Sequence, residues 1–493
     1  MPDARNGTAD PFIKALGLRD VVLMNVVAIV SLRWIARGAR MGPASVTLWI
    51  LACLTFFVPL AFVISRLAKR YPQQGGVYVW VRRAFGARHG FVCGWCLWVN
   101  NLFYFPSLLL FGAANFALLF GPSGASLTAS RAYFVLFVLA GIWITTIISI
   151  VGLRTGRWLQ NAGSIGVWIP AGLLLWAGVA ALVRDGSATA FGGAAMLPRG
   201  EALETIGVWS AMCFAFSGFE ITSFVGQEVR NARRTIPLGI AIAGALTTIF
   251  YIAGSAALLI AIPSNELKEL SGVTDAVELV GRRLSLGGLG PITGGLVAAY
   301  AIAGTASWTA GAARVPFAAG VDRSLPAAFA QLHPRYRTPH VALLIQATAS
   351  SAIFLASLFL TATGTRGNVQ DAYDVLVNLT ILIYFIPYLY LFAAFVRLHR
   401  HEPADFETDD TPRPPDAPPR PPGDATLAHA ITPGFAAVAI AAVGFGATAV
   451  SLALTFLPPP DANPLVYEVN LIVQAGVMLG IGWLLYRRAG RRA

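Results

Sequence analysis

Charge is scarce in this chain. Only 12% of its 493 residues are Asp, Glu, Lys or Arg, against about a quarter in an ordinary soluble domain. A chain so poor in charge cannot cover a water-facing surface of normal composition. Cysteine is scarce too. Cys53, Cys93, Cys96 and Cys213 all fall inside apolar runs, where a thiol behaves as a small hydrophobe. The CGWC of 93–96 has redox-pair spacing but reads as turn-neighbours on a buried helix. The six histidines sit in loops or at helix ends, and none stands at ligand spacing with Cys or a carboxylate, so no metal site is indicated. No Walker sequence or Ser/His/Asp set occurs, which leaves an ATP-driven pump and an enzyme without support, and no cofactor is implied. GGLGPITGG at 287–295 lacks the Lys-Ser/Thr pair of a phosphate loop and opens an apolar run. It reads as a turn and close-packing feature. Residues 1–20 contain no apolar core before a small-residue cleavage site, so no removable signal peptide is expected.

Apolar length is what the chain has in abundance. Hydrophobic residues make up 56% of it, in runs of about 20 residues, each enough to cross a bilayer core. Twelve spans are expected, near 21–37, 43–66, 89–120, 131–152, 156–183, 203–228, 236–262, 289–317, 340–362, 372–397, 431–457 and 466–487. The reading is an all-α polytopic membrane protein embedded in the lipid bilayer. Its net charge of +12 then reflects Lys and Arg gathered in cytoplasmic loops rather than a nucleic-acid partner. Arg66, Lys69, Arg70, Arg82, Arg83 and Arg88 lie between spans two and three, and Arg487, Arg488, Arg491 and Arg492 close the chain. This bias places both termini in the cytoplasm and the protein in the plasma (inner) membrane. Residues 1–20 form a cytoplasmic N-terminus and 488–493 a basic tail. The Pro-rich 398–430 reads as a flexible cytoplasmic linker, dividing ten spans from the last pair at 431–487.

The sixth span carries the sharper signal, VWSAMCFAFSGFEITSFVGQEVRNARRTIP at 208–237. Ser217 and Gly218 interrupt an apolar helix and Glu220 follows at once. A carboxylate in mid-membrane is expensive and faces a cavity or a partner. An unwound membrane helix frees backbone groups that a ligand can satisfy. A simple kink, with Glu220 satisfied by a neighbour, is the competing reading. FAFSGFE followed by EVRNARRTIP resembles the sixth-helix signature of the amino acid–polyamine–organocation superfamily. GGVYVWVRRAFG at 75–86 resembles that family's loop between helices two and three. The stretch 307–346 resembles its eighth helix, the following loop and the start of the ninth. ASW at 306–308, Arg314, LPAAFA and IPSNELKELSGV at 262–273 are most similar to the glutamate/γ-aminobutyrate antiporter branch.

The resemblance implies the five-plus-five inverted repeat of the leucine transporter, with repeats at 21–183 and 203–397 and broken first and sixth helices. It implies a secondary transporter of an amino acid or related amine, coupled to a proton or a counter-substrate. A non-transporting sensor on the same fold is the alternative, and monomer and homodimer both stay open. Carried over, the first break falls at Ile29, Val30 and Ser31, where the family's glycine-rich stretch is absent. The second covers Phe214, Ala215, Phe216, Ser217 and Gly218. Trp308 matches a pocket-lining tryptophan, and Glu220 a carboxylate used in gating and coupling.

Arg33, Arg37 and Arg40 follow the first break on one helical stripe. Arg37 and Arg40 are expected to be interfacial flanks that snorkel to water. Arg33 either pairs structurally with Glu220, or meets an anionic substrate group or neutralises Glu220 during coupling. Glu228 is expected in a surface cluster with Arg230, Arg233 and Arg234. Asn100, Asn101, Tyr104, Asn378 and Tyr384 are expected to hydrogen-bond between helices.

Overall fold

The computed structural model describes residues 16–71, 76–151, 153–198, 202–224, 229–314, 325–361, 369–401, 433–458 and 463–490. The Pro-rich stretch beyond His401, the first fifteen residues and Glu228 lie outside them.

The described chain is helical. In order come α1 (Leu18–Ile29), α2 (Leu32–Ala39), α3 (Ala44–Ala52), α4 (Val58–Arg70), α5 (Gly76–Phe85), α6 (Ala87–Ala117), α7 (Gly124–Ala129), α8 (Arg131–Val151) and α9 (Leu153–Asp185). The second half holds α10 (Ala202–Ala215), α11 (Ile221–Phe224), α12 (Ala232–Ala261), α13 (Gly272–Arg283), α14 (Leu289–Ala312), α15 (His340–Thr361) and α16 (Val369–His401). The last pair is α17 (Pro433–Leu454) and α18 (Pro464–Gly490). A π-helical turn at Cys53–Phe57 joins α3 to α4 as one span. Its Val58 N–H reaches back to the Cys53 carbonyl just before Pro59, which has no N–H to offer.

Among the described residues ten helices are long and apolar enough to cross a membrane, and α1 with α2, bent by 53°, makes an eleventh. The remaining expected span appears as α10 and the short α11 on either side of a break, neither long enough alone. Of the uninterrupted spans, α6 and α16 are the most enclosed. α1 and α2 pack beside α12, α10 lies against α2 and α3, and α9 and α14 form another tight contact. α17 rests on α16, α10 and α4, while α18 covers α16, α15 and α6. Outer faces carry exposed Leu136, Ile147, Val183, Phe359 and Phe435, as a lipid-facing surface requires.

Small residues set how closely the spans approach, because lipid supplies no hydrophobic drive for helix association. A Cβ on Gly166 of α9 would lie 2.5 Å from the Leu296 carbonyl oxygen of α14. A Cβ on Gly294 would lie 2.5 Å from that of Asn115. Within the same 287–295 stretch Gly288 has φ +92, and the Gly290 N–H donates to Glu278 at 2.8 Å. Gly166→Leu is expected to destabilise the fold by about 1–3 kcal/mol through overpacking, read as a lower unfolding temperature in detergent. An unchanged melting curve would contradict this contact.

Candidate functional site

The first break consists of two residues. After α1 ends at Ile29, Val30 (φ −62, ψ 120) and Ser31 (φ −141, ψ 127) run extended before α2 begins at Leu32. Both conformations are open to any L-residue, which explains why the break forms without glycine. Ile29, Val30 and Ser31 are all buried.

The second break needs glycine. α10 ends at Ala215, and Phe216, Ser217, Gly218, Phe219 and Glu220 turn the chain into α11. Gly218 has φ +108, a conformation that disfavours side chains, and a Cβ there would stand 3.3 Å from Ile29 Cγ1. Interrupting a helix in a membrane frees carbonyls and N–H groups that lipid cannot satisfy. Tyr251 of α12 answers for both breaks at once. Its hydroxyl lies 3.0 Å from the Ile29 carbonyl and 3.3 Å from the Ala215 carbonyl, so a single proton is shared between the ends of the two helices. Tyr388 of α16 accepts the Gly218 N–H at 3.0 Å and donates to Glu220 Oε2 at 2.7 Å. Tyr384 donates to Oε1.

Glu220 is therefore a clamp that ties the second break to α16, and the expected pairing with Arg33 is not formed. The two side chains have different neighbours. Arg33, only 1% exposed, lies with its guanidinium carbon 4.4 Å from the Trp34 ring centre and 4.8 Å from that of Tyr104. Its Nη1 donates to Ser107 Oγ at 3.1 Å, and Nε has no partner. Ser31 Oγ, at the break, is likewise buried without a partner. Taking a cation out of water costs several kcal/mol, and two aromatic faces recover part of that.

Arg37 and Arg40 do not simply snorkel to water. Arg37 is bound by Glu269 at 2.9 Å and lies 3.7 Å from Asp374. Arg40 reaches the other oxygen of Glu269 at 3.4 Å. Glu269 is 5% exposed at its side chain, too enclosed for the pair to be treated as an ordinary surface bridge. The cluster joins α2, the segment before α13, and the start of α16 across one end of the bundle.

The aromatic residues divide between two environments. Phe214 meets Trp34 at 5.4 Å and Tyr384 at 5.7 Å, and Trp308 stands edge-on to Tyr104 at 6.2 Å. Of these rings Trp34 and Tyr104 flank Arg33, and Phe214 and Trp308 pack against them in turn. Phe216 packs instead among Trp49, Phe57 and Tyr251. Asn101 donates to Leu97 in its own helix rather than to a neighbouring one. Asn100 Oδ1 has no partner, and Asn378 is half-buried. Arg314, Arg230, Arg233 and Arg234 are exposed. Among the described residues no group of His, Cys, Asp and Glu could hold a metal. Trp34, Ser107, Tyr251, Glu269, Asp374 and Tyr388 were not singled out from sequence. Only the hydroxyls of Tyr251 and Tyr388, placed in apolar spans, carried a usable signal.

Over residues 16–483 the chain matches the amino acid permease family. An uncharacterized transporter of Legionella pneumophila is 27% identical over 96% of this chain and 97% of its own length. A probable agmatine/putrescine antiporter of Lactococcus lactis is 25% identical over 76% of each. The crystal structure of MhsT in complex with L-phenylalanine superposes with a TM-score of 0.56 at 15% identity, covering 88% of this chain and 97% of that one. The fold is thus the leucine-transporter fold.

Tyr388→Phe strips a partner from both the Gly218 N–H and Glu220. It is expected to lower stability by about 1–3 kcal/mol, measured as a drop in unfolding temperature. No drop would mean that the clamp contributes nothing to the fold.

Proposed function

The chain belongs to the amino acid permease family, and from that premise we propose that it exchanges an amino acid or related amine across the plasma membrane by alternating access. The observation that carries this reading is the meeting of the two breaks beneath the Tyr251 hydroxyl. α2 begins there with N–H groups that no carbonyl of a preceding turn can serve, a suitable receptor for a carboxylate. α1 and α10 end there in carbonyls suited to an ammonium. Ile29, Val30, Ser31, Arg33, Phe214, Ala215, Phe216, Ser217, Gly218 and Trp308 form the proposed surround, and Glu220 couples the second break to α16.

In this reading the repeats are 21–183 and 203–397, and both termini are cytoplasmic. α2 is then the outer half of the first helix, and Arg37, Arg40, Glu269 and Asp374 form a closed outer gate. Placement in the glutamate/γ-aminobutyrate branch is supported by IPSNELKELSGV, which supplies Glu269, and by ASW, which supplies Trp308. The antiporters and the exchanger among the relatives favour a counter-substrate over a proton as the coupling partner.

Purified protein in vesicles preloaded with an amino acid should take up the same labelled compound faster than empty vesicles do. Binding without any flux would favour a sensor. Glu269→Gln should loosen the outer gate and speed labelling of a Ser31→Cys variant by a membrane-impermeant thiol reagent added outside. Unchanged labelling would remove the cluster from the gate.

A further inference from the structure

A groove of about 650 Å³ runs along the seam between α16 and α17, with Phe85 of α5 closing one side. Phe392 and Val396 line it from α16, and Val438 and Phe445 from α17. Its polar side chains are Arg397 and Arg400, and none of its lining residues is acidic. Both arginines lie in the last two turns of α16, which ends at His401. Phe392 lies eight residues before Arg400, about 12 Å deeper along the helix. The groove is therefore basic at its mouth and apolar in its depth. A Cβ on Gly446 would meet nothing within 4 Å, so the deep end is open space. Phe435, Val443 and Phe445 are exposed on the same helix, which makes the groove continuous with the lipid-facing surface.

The two arginines are exposed, and neither makes an ion pair among the described residues. The guanidinium carbon of Arg397 lies 5.3 Å from the Phe85 ring centre. A ring on that face leaves the in-plane N–H groups for an anion, and a phosphate matches their fork. We infer that the groove is a site for an anionic phospholipid, its phosphate on Arg397 and Arg400 and the upper part of an acyl chain between α16 and α17. A zwitterionic headgroup brings a cation of its own beside the two arginines. A free phosphate would serve the arginines but leave the apolar depth unfilled. In the orientation proposed above the mouth faces the cytoplasmic leaflet, where basic pockets between membrane helices hold anionic headgroups. The site is separate from the two breaks and does not depend on what the protein carries.

The test is native mass spectrometry of the full chain in detergent, titrated with dioleoylphosphatidylglycerol or dioleoylphosphatidylcholine. Phosphatidylglycerol is expected to bind at least about tenfold more tightly, the scale set by two arginines at a membrane surface. Arg397→Gln combined with Arg400→Gln should erase that preference. Arg487→Gln combined with Arg488→Gln, a basic pair outside the groove, should keep it. Gly446→Phe puts a ring into the groove with both arginines in place and should weaken phosphatidylglycerol binding severalfold. Glycerol 1-phosphate at matched concentration should not displace the lipid. If it does, the arginines form an anion site without a lipid, and the inference is overturned. Equal affinity for the two lipids would also overturn it, as would equal loss in both arginine pairs, leaving the groove to another occupant such as the acidic stretch from Glu402 to Asp410. Phosphatidylglycerol binding unchanged by Gly446→Phe would place the lipid elsewhere.

Discussion

The structure depends on how it satisfies the backbone where two helices stop inside the membrane. Lipid offers no hydrogen bonds, so each interruption must find partners within the protein or in a ligand. Tyr251 holds the two carbonyl ends together, and Tyr388 with Glu220 holds the start of the second half-helix to α16. These contacts come from α12 and α16, outside the broken helices. The breaks are therefore fixed in place by the surrounding bundle, and the first can be built from Val30 and Ser31 in ordinary extended geometry.

Three arginines one turn apart meet three different fates because depth changes their surroundings. Arg40 is half-exposed and touches one carboxylate oxygen. Arg37 is largely enclosed and sits between two acids from separate elements, where loss of either partner would leave a poorly solvated charge. Arg33, nearest the break, has aromatic faces and a serine. The first two positions suit a gate that opens and closes. The third lies beside the break, where Trp34, Tyr104 and Ser107 hold the guanidinium.

Much of the architecture was legible in the sequence, since apolar runs of membrane length and a Ser-Gly interruption before a carboxylate are local signals. The break at Val30–Ser31 was found through resemblance, because its residues carry no turn chemistry of their own. Partnerships were harder to read. Helical spacing placed Arg33, Arg37 and Arg40 on one stripe, but periodicity cannot say which helix that stripe faces. One reading paired Glu220 with Arg33 because both lie beside breaks, whereas the turn from Gly218 into α11 directs Glu220 to tyrosines of α16. Glu269 was hidden in a connecting segment and Asp374 near the first turn of a long apolar helix, where a single acid looks like an interfacial residue.

The most direct test of the central claim is a structure determined in nanodiscs with the amino acid that the protein exchanges. The account predicts ligand density between Val30–Ser31 and Phe214–Gly218, with its carboxylate at the start of α2. Density elsewhere, with the two breaks still joined only through Tyr251, would contradict it.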